Sequence, residues 1–258
     1  MSDKIQFKSA RLVVLIDADN ANADLIEPLL KEVATYGIAH VKRIYGDWTT
    51  PQLSKWKEKL NKYAIQPIQQ FGYTTGKNAT DSALIIDAMD LLYTRNFDGF
   101  CIVSSDSDFT RLAGRIREEG LTVYGFGDKK RTPQAFISAC DKFIYTEILD
   151  QPSSSNKDQS QNIKEVELKE LAGPSNDSKQ NGNRELKCLL KDAFEAIVEE
   201  DGWVSLGLLG AQLNKVSPDF DSRNYGFKQL KPLVQSVQIF EVKEFPVGKG
   251  NALRIRLK

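Results

Sequence analysis

The sequence predicts an α/β protein: a doubly wound parallel sheet with helices on both faces, then a flexible linker and a small winged-helix C-terminal domain. Three observations carry this. Short β-branched apolar runs alternate with amphipathic segments throughout residues 1–150, as in a parallel sheet with crossover helices. Residues 151–183 break the pattern, being rich in Ser, Asn, Gln, Lys and Asp apart from a short apolar patch at Ile163, Val166, Leu168 and Leu171. Residues 184–258 then show three helical periodicities and a terminal hairpin.

In order, Leu12–Ile16 is an unbroken apolar run expected as a strand buried on both faces, ending in Asp17-Ala18-Asp19-Asn20. Asn22 or Asp24 caps a helix whose inner face is Leu25, Ile26, Leu29, Leu30 and Val33, stopping near Gly37. Val41–Tyr45 is the second strand. Pro51 opens a helix carrying Leu53, Trp56, Leu60 and Tyr63, and Ile65–Phe71 is a third strand before the loop Gly72–Thr80. A helix over 81–94 leads to the strand Gly99–Val103. Phe109, Leu112, Ala113 and Ile116 line the next helix, which stops at Gly120. Leu121–Phe126 is a strand, Pro133–Cys140 a short helix, and Phe143–Leu149 the last strand.

After the linker, Leu186, Leu189, Leu190, Ala193, Phe194 and Ile197 have helical spacing, as do Leu206, Leu209 and Leu213. Tyr225–Val234 is a third helix. Ile239–Lys243 and Ala252–Leu257 flank Gly248-Lys249-Gly250 as a hairpin.

Composition narrows the function. The formal charge is zero, 35 Lys+Arg against 35 Asp+Glu, so a polyanion partner needs a local basic surface; from Lys215 onward basic residues outnumber acidic ones nine to four. His40 is the only histidine, which excludes Ser-His-Asp and Cys-His catalysis and His-rich metal sites. Cys101, Cys140 and Cys188 are odd in number, widely spaced and set in apolar segments, as expected of reduced core thiols. No signal-peptide pattern opens the chain and no run reaches the roughly 18 apolar residues of a membrane span, so a cytoplasmic location is expected.

The chemistry is expected where carboxylates end strands. In an open parallel sheet, ligands bind beyond the carboxyl ends of the strands where the strand order reverses. Asp17 closes the first strand and Asp106 the fourth, and these two strands flank the reversal in a 3-2-1-4-5 order. Asp108 follows on the next turn. Asp81 heads the helical stripe of Leu84, Ile85, Ala88 and Leu92 and so aims inward, whereas Asp87 and Asp90 fall on solvated faces. Crowded acids repel unless a cation compensates. With oxygen ligands alone, the expected ion is Mg²⁺ or Mn²⁺, which can neutralise a phosphodiester in attack and acidify a water. The side chain of Asp19 is expected to point away from that of Asp17.

Leu12-Val-Val-Leu-Ile-Asp-Ala-Asp-Asn20, Gly76-Lys-Asn-Ala-Thr-Asp-Ser-Ala-Leu84, Val103-Ser-Ser-Asp-Ser-Asp-Phe109 and Val123-Tyr-Gly-Phe-Gly127 together resemble the NYN domain, a branch of the PIN-like ribonucleases. The resemblance implies a PIN-like fold and a metal-dependent ribonuclease over residues 1–150. Its acidic ligands fall on Asp17, Asp81, Asp106 and Asp108, with Asn20 in polar support. The Asn78-Ala79-Thr80 lead-in departs from the Gly-Val that many members place before the acid at position 81. Gly202-Trp-Val-Ser-Leu-Gly-Leu-Leu-Gly210 and Pro218-Asp-Phe-Asp-Ser-Arg-Asn-Tyr-Gly-Phe-Lys-Gln-Leu230 resemble the LOTUS (OST-HTH) domain, which implies RNA binding by residues 184–258, as in bacterial NYN-LOTUS proteins.

RNA is therefore the expected partner, with a second copy of the chain or an RNA-processing protein left open as a further one, and no membrane. Arg43, Trp48, Lys77, Lys129, Lys130 and Arg131 lie in or near loops at the acidic edge, where they could meet phosphates and stack a base. Arg223, Lys228, Lys231, Lys249, Arg254 and Arg256 are the C-terminal candidates, with Trp203, Phe227 and Leu230 expected in that domain's core. Two rival functions stay open. Asp17-Ala18-Asp19 after a buried strand also resembles the haloacid dehalogenase-like phosphatases, with Asp17 as nucleophile. The other rival is a non-catalytic RNA-binding adaptor.

Overall fold

The computed structural model describes residues 9–71, 79–150, 176–247 and 250–258. The chain divides into two compact units, the first running to Asp150 and including Asn214–Asn224, the second comprising the rest. The first is built on a six-stranded sheet in the order β3-β2-β1-β4-β5-β6, every neighbouring pair parallel. Its strands are β1 (Arg11–Asp17), β2 (Ile38–Gly46), β3 (Gln66–Gln69), β4 (Gly99–Val103), β5 (Thr122–Gly127) and β6 (Lys142–Tyr145). The expected reversal between the first and fourth strands is present. Its helices are α1 (Ile26–Tyr36), α2 (Trp56–Tyr63), α3 (Ala79–Tyr93), α4 (Thr110–Glu118) and α5 (Gln134–Ala139).

Strand β1 is apolar along its length because both its faces are covered. Leu12, Val14 and Ile16 pack with Ile26, Leu29, Val33 and Trp56 on the face of α1 and α2. Val13 and Leu15 pack with Leu84, Ala88, Leu92, Leu112 and Phe136 on the face of α3, α4 and α5. Each such aliphatic side chain removed from water contributes about 1.5–3 kcal/mol. Pro67 is tolerated in β3 because that strand is the sheet's edge. The last strand ends at Tyr145 and gives way to a 3-10 turn, Thr146–Ile148, earlier than the apolar run suggested.

At the opposite edge, the backbone NH of Phe143 in β6 donates to the Pro218 carbonyl (2.8 Å), and the Tyr145 hydroxyl donates to Asp219 (2.7 Å). Arg223 grips Glu32 of α1 with two guanidinium nitrogens at 2.8 and 2.9 Å. These contacts explain why Asn214–Asn224 groups with the first unit.

The second unit contains α6 (Asn176–Glu195), most of α7 (Leu206–Val216) and α8 (Leu230–Ser236). A small antiparallel sheet is ordered β7 (Val204–Ser205), β9 (Gly250–Leu257), β8 (Phe240–Val247). Leu190, Phe194, Leu209, Leu213, Leu233, Phe240 and Ile255 form its buried interior. The hairpin strands extend further towards the turn than expected, to Val247 and from Gly250, and two helix starts also differ. Helix α6 begins at Asn176, inside the stretch expected as linker, while residues 151–175 and the apolar patch within them lie outside the described residues. The third helix begins at Leu230 instead of Tyr225, because a 3-10 turn at Ser222–Tyr225 runs into Gly226 at φ 82°, a left-handed conformation that breaks helical propagation. Cys101 and Cys140 are buried as expected, whereas Cys188 is exposed. Among the described residues no helix is long and apolar enough to cross a membrane.

Candidate active site

Asp17 is the last residue of β1 and only 1% exposed. By strand alternation it follows Val13 and Leu15, so it faces the side of the sheet covered by α3 and α4. Its Oδ1 accepts from the Asp19 backbone NH (3.1 Å), and its Oδ2 accepts from Asn20 Nδ2 (2.7 Å) and Ser104 Oγ (2.8 Å). Ser104 stands just past the end of β4, so its bond spans the point where the strand order reverses. The ends of β1 and β4 are thereby tied together by side chains as well as by the ladder. Asp106, two residues further on, caps the 3-10 turn Ser107–Phe109 by accepting from the Asp108 NH (3.0 Å), which puts Asp108 on the first turn beyond it.

Asp81 lies half-buried in the first turn of α3, in phase with the buried Leu84, Ala88 and Leu92. Its carboxyl is pushed up to about 6, first by burial and then by the charges of Asp17, Asp106, Asp108 and Asp19. The four expected acids therefore share one electrostatic field. Asp19, whose side chain was expected to point away from that of Asp17, is a fifth member: though exposed, its carboxyl is raised by partial desolvation, by Asp17 and by Asp47. Asp47 was missed altogether. It directly follows β2, the other neighbour of β1, and its place at a strand end was the signal that could have found it.

Among the described residues no group of three or more His, Cys, Asp or Glu side chains is arranged as a ready metal site. The donor chemistry still suits a hard cation. Mg²⁺ keeps several waters and needs only one or two carboxylates from the protein. A field that raises Asp81 is one that a cation would relieve.

The basic and aromatic candidates separate once placed. Arg43 forms an ion pair with Asp87 on α3, and Asp87 also accepts from the Tyr45 hydroxyl. Asp87 is thus not the solvated acid expected: β2 presents Arg43 and Tyr45 to the helix packed on it. Asp90 is exposed as expected. Trp48 is half-buried, its indole NH donating to the Ile68 carbonyl (3.0 Å), which holds the ring against β3. Lys129 has its ammonium 5.5 Å from the Tyr145 ring centroid. Lys130 donates its backbone NH to Asp128 (2.8 Å). Arg131 reaches Asn20, at 3.4 Å to its side-chain oxygen and 3.3 Å to its carbonyl. Arg223 is engaged by Glu32 and Asp221. Lys228 is exposed in the second unit, and Lys77 and Lys249 lie outside the described residues. Trp203 is half-buried instead of in the core: it packs edge-on against Phe245, with Arg256 (4.8 Å) and Lys243 (5.5 Å) over its ring.

Family models match two segments of the chain: the NYN domain over residues 11–150 and the OST-HTH/LOTUS domain over residues 181–252. No curated protein matches it. Among solved structures, a protein of unknown function from Vibrio parahaemolyticus is 20% identical, over 56% of this chain and 95% of that one, with a TM-score of 0.46. An uncharacterized protein from Nitrosomonas europaea, determined by solution NMR, is 33% identical over 42% of this chain and 91% of that one, with a TM-score of 0.26.

Proposed function

The chain belongs to the NYN domain family, and on that premise we propose that it is a metal-dependent ribonuclease, hydrolysing RNA phosphodiester bonds at the acid cluster, with a C-terminal module that binds RNA. The observation that carries this is the crowding of Asp17, Asp106, Asp108 and Asp19 around Asp81, acids drawn from two strand ends and a helix. Asp17, Asp81, Asp106 and Asp108 would hold Mg²⁺ or Mn²⁺. When bound, the ion supplies charge neutralisation at the phosphodiester and activation of a water. Asn20 and Ser104 orient the Asp17 carboxylate, so that no reorganisation is needed when substrate arrives.

The phosphatase alternative is disfavoured by the same geometry. The 3-10 turn Ala23–Leu25 and α1 follow Asp17 within a few residues, leaving no insert to cover a small substrate. RNA binding by the C-terminal module is supported by its family match and by Arg256 and Lys243 around Trp203, with Arg254 5.5 Å from the Phe245 ring centroid.

The test is degradation of labelled single-stranded and structured RNA with Mg²⁺ or Mn²⁺, comparing wild type with Asp17→Asn and Asp106→Asn. Each substitution is expected to slow cleavage at least about a hundredfold. Equal rates in all three proteins would remove the assignment, and RNA binding without cleavage by wild type would favour the adaptor. Arg256→Gln with Lys243→Gln is expected to weaken RNA binding severalfold while sparing cleavage of a short oligonucleotide.

A further inference from the structure

A cavity of about 200 Å³ opens at the same carboxyl edge of the sheet, on the face covered by α1 and α2. Its apolar floor is Ile16, Val103 and Phe126, the ends of β1, β4 and β5, backed by Leu29 and Trp56. Its polar lining is the buried Ser105, the half-buried Asp128 and, at exposed positions that mark the mouth, Arg131, Glu147 and Asp150. Two further lining residues, Asn20 and Ser104, are those that hold the Asp17 carboxylate on the other face of the sheet. The cavity and the acid cluster therefore lie on opposite faces of the sheet and share Asn20 and Ser104.

We propose that this cavity receives a single nucleobase of the RNA strand whose phosphate lies at the acids, and that it favours bases bearing an exocyclic amine. This rests on the ribonuclease reading for the strand's identity but not for the cavity's chemistry. Size comes first: the volume is below the roughly 300–1,000 Å³ of sites that enclose a drug-sized ligand, and suits one planar ring system. Polarity comes second. A base has apolar faces and a hydrogen-bonding edge, matching an apolar floor and a polar rim.

Charge comes third. Three carboxylates in the lining against one guanidinium repel a free phosphate or other small anion, whereas an uncharged base carries no such penalty. Glu147 is exposed and uses one oxygen on the Lys129 backbone NH (2.9 Å). Its carboxylate can only accept, so it pairs best with an exocyclic amine; uracil offers only its N3–H, flanked by two carbonyl oxygens that a carboxylate repels. The hydroxyl of Ser105 accepts from the Asp128 NH (2.9 Å) and keeps its own hydrogen to donate. Arg131, already bonded to Asn20, links an occupant of the mouth to the support of Asp17.

The experiment uses the full chain, without divalent ions, titrated calorimetrically with adenosine, cytidine, guanosine and uridine. These nucleosides carry no phosphate to meet a cation at the acids, and the part of the binding lost in Leu25→Trp separates the cavity from the aromatic surface at Trp203. Leu25→Trp, at the half-exposed rim, fills the space; Glu147→Gln, at an exposed position, removes the acceptor-only edge; thermal unfolding checks that both are folded. The amine-bearing nucleosides are expected to bind wild type about tenfold more tightly than uridine, with binding lost in Leu25→Trp and the discrimination lost in Glu147→Gln. No nucleoside binding to wild type, or binding unchanged in both variants, overturns the proposal. A second arm maps cleavage positions on RNA of randomised sequence. A preference for amine-bearing bases beside the cut that relaxes in Glu147→Gln supports the proposal, and cutting by wild type with no base preference overturns it. Nucleoside binding without any RNA cleavage would instead overturn the ribonuclease reading and leave the cavity's ligand class standing.

Discussion

Helix α3 carries two half-buried aspartates with opposite fates. Asp87 faces β2, where Arg43 and Tyr45 neutralise and hydrogen-bond it, and the result is a tie between helix and sheet. Asp81, less than two turns earlier, faces Asp17, Asp106, Asp108 and Asp19, and its carboxyl rises to about 6. The difference separates an acid built into the fold from the acids we propose as the site. An acid matched by a cation of the same fold is structural, while an acid surrounded by its own kind costs stability that a ligand can recover.

The largest test of this contrast is addition of the ion itself. Saturating Mg²⁺ or Mn²⁺, at about a hundred times its dissociation constant, is expected to stabilise wild type by about 2.7 kcal/mol. The gain should shrink in Asp81→Asn and persist in Asp87→Asn, as read by thermal unfolding. Equal gains in both variants would erase the distinction between the two aspartates. Next, Arg43→Met leaves Asp87 half-buried without its cation and is expected to destabilise by about 2 kcal/mol, below the cost of breaking a fully buried pair. Denaturant unfolding checks it, and no change would mean that solvent screens the pair.

Smaller and opposite in sign, Asp81→Asn is expected to stabilise the ion-free protein at pH 7 by about 1 kcal/mol after allowance for solvent screening. A carboxyl raised on folding binds its proton more tightly in the native state. Wild-type stability therefore falls as pH rises from the usual carboxylate range to about 6 and is then flat. The variant's advantage should accordingly vanish near pH 4. Asp90→Asn, on the exposed face of the same helix, is the control, expected within about 0.5 kcal/mol of wild type at every pH. A pH-dependent advantage there would assign the effect to the helix in general.

Much of this was legible in the sequence because it depends on short-range periodicity. Strand β1 is apolar at every position between Arg11 and Asp17, which told of two covered faces; the acids at 17 and 106 end apolar runs; and Asp81 shares a helical phase with Leu84, Ala88 and Leu92. Helical phase did not place Asp87, since an angle around a helix axis does not say what packs on the half-covered flank. Trp203 was likewise not placed, because an apolar neighbourhood in sequence did not reveal the basic side chains stacked over its ring.

The sequence by itself determined the alternation of strands and helices, the strand order at the reversal, and the four acids brought to one edge. Only the tertiary structure decided that Arg43 belongs to Asp87, that Ser104 and Asn20 both hold Asp17, that Asp19 and Asp47 join the field, and that a cavity lies on the other face of the sheet. The physical reason is range. Backbone periodicity is set by dihedrals of neighbouring residues and repeats within a few positions, whereas these pairings join side chains up to 87 residues apart and depend on which elements pack together.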